Sequence, residues 1–180
     1  SAGGIYGSGY DTANISVYRC VNYGDVHGDS NAGGIGGYTY MSKNPSLNIR
    51  ECYNSGNIKS SVAGGIIGLA GCKDTGSKNT YFDIKYSGNH GRVEGMGGND
   101  GYSAGIVAKM DHRHGYVAQC CNKGEISGPA QKAVGGIVAH MGDGGGSGLH
   151  YNYGLVTRCI NYGKISSSDA NTRVGGVVGI

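Results

Sequence analysis

Apolar and polar positions alternate along this chain in short bursts that return at a fixed spacing. One burst is a small residue, usually two glycines, then an aliphatic pair or glycine. It occurs as AGGIYG (2–7), AGGIGG (32–37), AGGIIG (63–68), SAGIVA (103–108), VGGIVA (134–139) and VGGVVG (174–179). A second burst falls between successive copies of the first: CVNYGDV (20–26), CYNSGNI (52–58), SGNHGRV (87–93), CCNKGEI (120–126) and CINYGKI (159–165). Its shared core is Asn-x-Gly-x-(Ile/Val). Five residues before each asparagine stands another aliphatic: Val17, Ile49, Ile84, Val117 or Val156. The bursts are short, β-branched and bounded by Gly, Asn and Ser, which predicts strands and turns rather than helices.

Copies return every 30 to 40 residues, one coil of a solenoid per copy. The predicted fold is therefore all-β: a parallel β-solenoid (β-helix) of about five coils. The repeats are bounded near 2–31, 32–62, 63–102, 103–133 and 134–173, a sixth starts at 174, and residues 1–180 form a single solenoid segment. Because the same motif stands at both ends, the chain is expected to be a fragment of a longer protein. Its flanking repeats or domains would then be its nearest partners.

Parity assigns the columns. Cys20, Asn22, Gly24 and Val26 share one face, and Val21, Tyr23 and Asp25 the other. The position after Asn-x-Gly varies (Asp25, Asn57, Arg92, Glu125, Lys164) and reads as solvated; the next is always aliphatic and reads as core. Parallel coils stack ~4.8 Å apart, so like lies above like. Asn22, Asn54, Asn89, Asn122 and Asn161 are then expected to form an internal amide ladder, each donating to one neighbour and accepting from the other. Gly24, Gly56, Gly91, Gly124 and Gly163 are expected to hold a turn conformation that a side chain disfavours, and the paired glycines to let the chain approach the opposite wall. The segments between motifs vary in length and read as surface loops: 8–14, 38–46, 69–82, 109–115 and 140–154, with a shorter set at 27–31, 59–62, 94–102, 127–133 and 166–173.

Composition sharpens this picture. The chain holds 38 glycines with no three-residue period and only two prolines, which excludes a collagen helix. There is no tryptophan and one phenylalanine but fourteen tyrosines, so small and β-branched residues must fill the interior. The +3 net charge is scattered rather than clustered, giving no footprint for nucleic acid or a polybasic membrane surface. No apolar run approaches the ~18 residues of a membrane span.

The GGIxG element alternating with C-x-N-x-G-x-(I/V) resembles the GLUG-motif repeats of bacterial surface and secreted proteins, which also occur in the stem of IgA-cleaving metallopeptidases. The resemblance runs from Ala2 to Gly179. It departs at Ser87, where the other coils carry Cys, and at Ser103-Ala104-Gly105. It implies export, display at the cell surface and a structural or adhesive role. The zincin signature H-E-x-x-H is absent, so no peptidase activity carries over.

Candidate chemistry is sparse. Cys20, Cys52, Cys120 and Cys159 share one inward column; in-register side chains point the same way rather than at each other, so free thiols are expected. Asp111-His112-Arg113-His114 offers two imidazoles and a carboxylate, but Arg113 sits between the imidazoles and no further ligand is indicated, so a polar loop tip is expected. The glycine-acid loops at 97–101 and 142–146 hold one carboxylate each, too few for calcium. No metal, cofactor or catalytic residue is assigned. A carbohydrate-active β-helix enzyme remains an alternative, but Asp25 and Glu125 share a column three coils apart. Tyrosines in or beside the loops offer flat rings with polar tips, suited to sugars or protein surfaces. Tyr38, Tyr40, Tyr151 and Tyr153 are the chosen ligand contacts, with a host glycan or extracellular protein as partner. The competing reading is that such rings pack down to close the core.

Overall fold

Each burst straddles a bend between two short strands: 32–37 joins Asn31–Gly33 to Gly36–Met41, and 52–58 joins Tyr53–Asn54 to Ile58–Ser60. The computed structural model describes residues 1–11, 14–41, 46–72, 81–98, 101–111, 114–128, 132–142 and 154–180. The second coil shows the plan. It runs through strands Asn31–Gly33, Gly36–Met41, Ser46–Arg50, Tyr53–Asn54 and Ile58–Ser60. These belong in turn to a glycine face, a long face, an aliphatic face, an asparagine face and a short face. Among the described residues the glycine face has six strands and the other four have five each. Every pairing joins one coil to the next and is parallel, so the chain is a parallel β-solenoid.

Register follows the sequence columns. Val17 pairs with Ile49, Ile49 with Ile84, Ile84 with Val117 and Val117 with Val156. Ile49, Ile84 and Val117 are fully buried, and the main core runs along the axis between the long and aliphatic faces. A smaller column, Val26, Ile58, Val93, Ile126 and Ile165, lies behind the short face.

Much of what the sequence suggested as loop is strand. The long-face strands Tyr6–Asp11, Gly36–Met41, Ile67–Cys72, Val107–Asp111 and Val138–Met141 occupy most of the predicted loop 8–14 and the leading edges of the other four long ones. Their inward residues are small or flexible: Thr39 and Met41, Ala70, Ala108 and Met110 are buried while Tyr38 and Tyr40 face outward. Glycine, alanine and threonine at inward positions leave the two-residue apolar period too faint to read.

The turn glycines also act differently from expectation. A positive φ is not what Gly56, Gly91, Gly124 and Gly163 supply. A methyl on any of them would overlap the carbonyl oxygen of the matching glycine in the coil before: Gly24, Gly56, Gly91 and Gly124 respectively. Glycine is needed there for close coil-to-coil approach. The left-handed corner falls elsewhere, on Arg19, Glu51, Tyr86, Gln119 and Arg158, all at φ 52–54°. Left-handed backbone costs a non-glycine residue about 1–2 kcal/mol. The corner persists because its amides stay in the axial ladder: Arg19 N–H donates to Arg50 O (3.1 Å) and Glu51 N–H to Lys85 O (3.1 Å).

Directly after that corner comes the thiol column. The Sγ–H of Cys52 donates to Arg50 O (3.3 Å), that of Cys120 to Ala118 O (3.2 Å) and that of Cys159 to Thr157 O (3.3 Å). Ser87 does the same with its hydroxyl to Lys85 O, at 2.9 Å. In the other direction, Cys52 N–H donates to Ser87 Oγ (3.2 Å) and Cys120 N–H to Cys159 Sγ (3.5 Å). Cys20, Cys52, Cys120, Cys121 and Cys159 are unbridged. The hydrogen bond with Cys159, and then burial, push the Cys120 thiol up. The column thus wants a small donor–acceptor, and sulfur as such is dispensable. Cys120→Ser is expected to change the unfolding free energy by less than about 1 kcal/mol. Cys120→Val removes one of the two donors to Ala118 O, leaving the Tyr86 N–H, and forces a larger side chain into a packed column, costing about 1–3 kcal/mol. Denaturant midpoints of the two variants separate these outcomes.

Candidate functional site

Among the described residues, polar groups converge inside the coil and on its long, aliphatic and short faces, the last through Lys59, Arg92 and Glu94. Inside, the asparagine face carries a continuous amide ladder. Nδ2 of Asn22 donates to Oδ1 of Asn54 (2.8 Å), Asn54 to Asn89 (2.8 Å), Asn89 to Asn122 (2.9 Å) and Asn122 to Asn161 (2.7 Å). The second amide hydrogen of each goes to the carbonyl two residues on, from Asn22 to Gly24 (2.7 Å) through to Asn161 to Gly163 (3.0 Å). Asn54, Asn89 and Asn122 are fully buried with their amides satisfied in both directions. Facing them across the interior are Gly34, Gly65, Gly105 and Gly136, where an added methyl would run into the side chains of Asn54, Asn89, Asn122 and Asn161. The glycine pair and the asparagine are therefore the two halves of one contact. Gly105 is kept in the coil that departs from the pattern, and the methyl of Ala104 falls on the neighbouring position.

On the long face the outward side chains change character along the axis. Tyr10, Tyr38 and Tyr40 form an aromatic patch: Tyr10 and Tyr38 lie 5.4 Å apart and tilted by 50°, Tyr38 and Tyr40 5.9 Å apart and stacked at 18°. Both chosen contacts, Tyr38 and Tyr40, thus sit on the strand Gly36–Met41 and not in a loop. Burial, then the neighbouring phenols, push Tyr38 up to about 12. Tyr151 and Tyr153 lie outside the described residues. Further along stand Leu69, then Lys109 and Asp111, then His140, in register with Tyr38 and Tyr40. Lys109 Nζ is 2.9 Å and His140 Nε2 3.5 Å from the Asp111 carboxylate. Burial raises the Asp111 carboxyl, and the hydrogen bonds from His140 and Lys109 outweigh it, so the net shift is downward.

Two tyrosines expected at loops pack down instead. Tyr6 lies over Gly36 with its hydroxyl 3.1 Å from Thr39 Oγ1, and burial pushes it up to about 12. Tyr102 is buried against His140, with ring centroids 4.8 Å apart.

The aliphatic face carries a cleft of about 450 Å³ lined by Ser46, Asn48, Tyr81, Asp83, Lys85, His114 and Tyr116. A second cleft of about 560 Å³, lined by Tyr18, Asn48, Arg50 and Tyr86 among others, adjoins it through Asn48. Asp83 Oδ2 accepts from Arg50 (2.9 Å) and Lys85 (3.0 Å). Tyr81 and His114 lie 5.8 Å apart, and Lys85 Nζ sits 4.6 Å from the Tyr116 ring centre. The sequence placed Tyr81 and Tyr116 beside loops without joining them to Asp83, because the stagger between coils of unequal length was not readable.

The Asp111–His114 motif is divided between faces. Asp111 ends the long face, His114 lines the cleft, and His112 and Arg113 lie outside the described residues. No group of three or more His, Cys, Asp or Glu side chains is placed to hold a metal ion among the described residues. Searches against models of known protein families, curated proteins and solved structures returned no match.

Proposed function

We propose that this chain is a non-catalytic structural repeat segment of an extracellular bacterial surface protein, serving as a rigid spacer or adhesin stalk. The axial amide ladder carries this reading. Its bonds of 2.7–2.9 Å fix each coil to the next at one register, so that the outer faces keep a constant orientation along the axis. The resemblance to GLUG-motif repeats supplies the cell-surface setting. Antibodies raised against the segment are expected to label intact, unpermeabilised cells of its source. Labelling that appears only after permeabilisation would contradict surface display.

A second reading, a module that binds a host glycan or extracellular protein, is favoured by one observation: the contiguous Tyr10, Tyr38 and Tyr40 patch on a rigid sheet. The enzyme reading draws least support. Asp25 and Glu125 stand three coils apart, roughly 14 Å at one coil spacing each, beyond the ~5–10 Å of glycosidase carboxyl pairs.

A further inference from the structure

We propose that the cleft around Tyr81 and Asp83 binds a neutral oligosaccharide laid along the solenoid axis. The inference rests on the binding-module reading and moves its site from the long face to the aliphatic face.

Size and shape come first. The volume of about 450 Å³ lies within the ~300–1,000 Å³ of small-ligand sites. The adjoining cleft, reached through Asn48, extends the trough over the first four coils. That calls for a chain rather than a single ring. An extended β-linked sugar chain advances by roughly one coil spacing, ~4.8 Å, per residue, so successive rings meet successive coils.

The side chains then select the chemistry. The Tyr81 ring is more than half exposed and offers an apolar face to a pyranose. Asn48 and Ser46, one coil away, present amide and hydroxyl groups at the same trough. Asp83 has one oxygen engaged by Arg50 and Lys85, while Oδ1 is covered and has no hydrogen-bond partner among the described residues. A covered acceptor without a donor is costly, and a sugar hydroxyl entering beside it supplies the donor. An incoming carboxylate cannot: it has no proton to give, it meets Asp83 as a like charge, and both nearby cations already face Asp83. The site therefore selects hydroxyl-rich neutral sugars over acidic ones.

The test is calorimetric titration of the 180-residue chain with cellohexaose, chitohexaose, mannohexaose, xylohexaose and, as the acidic arm, hexagalacturonate. Binding of at least one neutral hexaose is expected. It should weaken about tenfold or more in Tyr81→Ala, the scale of one lost aromatic contact. Tyr81→Phe, which keeps the ring, and Tyr40→Ala, on the other face, should retain it, with circular dichroism confirming that each variant folds. No binding of any neutral hexaose by the folded chain overturns the proposal, as does binding of hexagalacturonate alone. Binding that survives Tyr81→Ala but is lost in Tyr40→Ala returns the site to the long face: the module reading then stands and this one fails.

Discussion

Asn89→Ala is expected to lower the unfolding free energy by about 3–5 kcal/mol. Asn89 sits at the centre of the ladder, fully buried. Its amide donates to Gly91 O and Asn122 Oδ1 and accepts from Asn54 Nδ2. Truncation leaves those two acceptors without this donor and one Asn54 hydrogen without a partner, at about 1–3 kcal/mol for each group left unmatched. The coils cannot close over the gap, because Gly65 on the opposite wall has no side chain to fill it. Asn22→Ala, at the first coil, should cost only about 1–2 kcal/mol: it donates to one ladder neighbour and is less completely buried. Urea unfolding of the two variants measures the contrast. Equal losses would mean that the ladder gains nothing from its continuity.

The glycine pair supplies the second large effect. In Gly65→Ala the new methyl would overlap both the carbonyl oxygen of Gly105 in the next coil and the side chain of Asn89. Neither yields without breaking an axial hydrogen bond, so the expected loss is about 3 kcal/mol or more, at the upper end of overpacking. Gly64→Ala is expected to cost about 1–2 kcal/mol. Its methyl meets the Ile67 carbonyl, but Ala104 occupies the same register position one coil on and is accommodated fully buried. Two glycines adjacent in sequence should therefore differ about twofold or more in sensitivity, as thermal unfolding would reveal.

The parts of this fold that could be read in advance are those where one side chain does the same job in every coil. The asparagine column and the aliphatics five residues before it repeat because each must match the coil above and below. The left-handed corner was invisible for the opposite reason. Arg19, Glu51, Tyr86, Gln119 and Arg158 share a backbone conformation and no chemistry, so nothing in their identities marks the turn. Gly56 and its equivalents were placed correctly but for the wrong reason: a conserved register of glycines does not distinguish positive φ from a close backbone neighbour. On the surface, Tyr38 and Tyr40 were legible as outward-facing rings but not as part of a strand, because the intervening Thr39 hides the apolar period. The cleft on the aliphatic face needs Asn48, Asp83 and Tyr116 from three coils, and linkers of unequal length conceal their alignment.

The account depends above all on coils locked one to the next by stacked asparagines. Isotope-edited NMR of the side-chain amides addresses this directly. Cross-peaks are expected between Asn22 and Asn54, Asn54 and Asn89, Asn89 and Asn122, and Asn122 and Asn161, pairs 32, 35, 33 and 39 residues apart in sequence. Pairs two coils apart should show none. Amides that exchange freely with solvent, or cross-peaks linking other pairs, would contradict the ladder and the register of coils built on it.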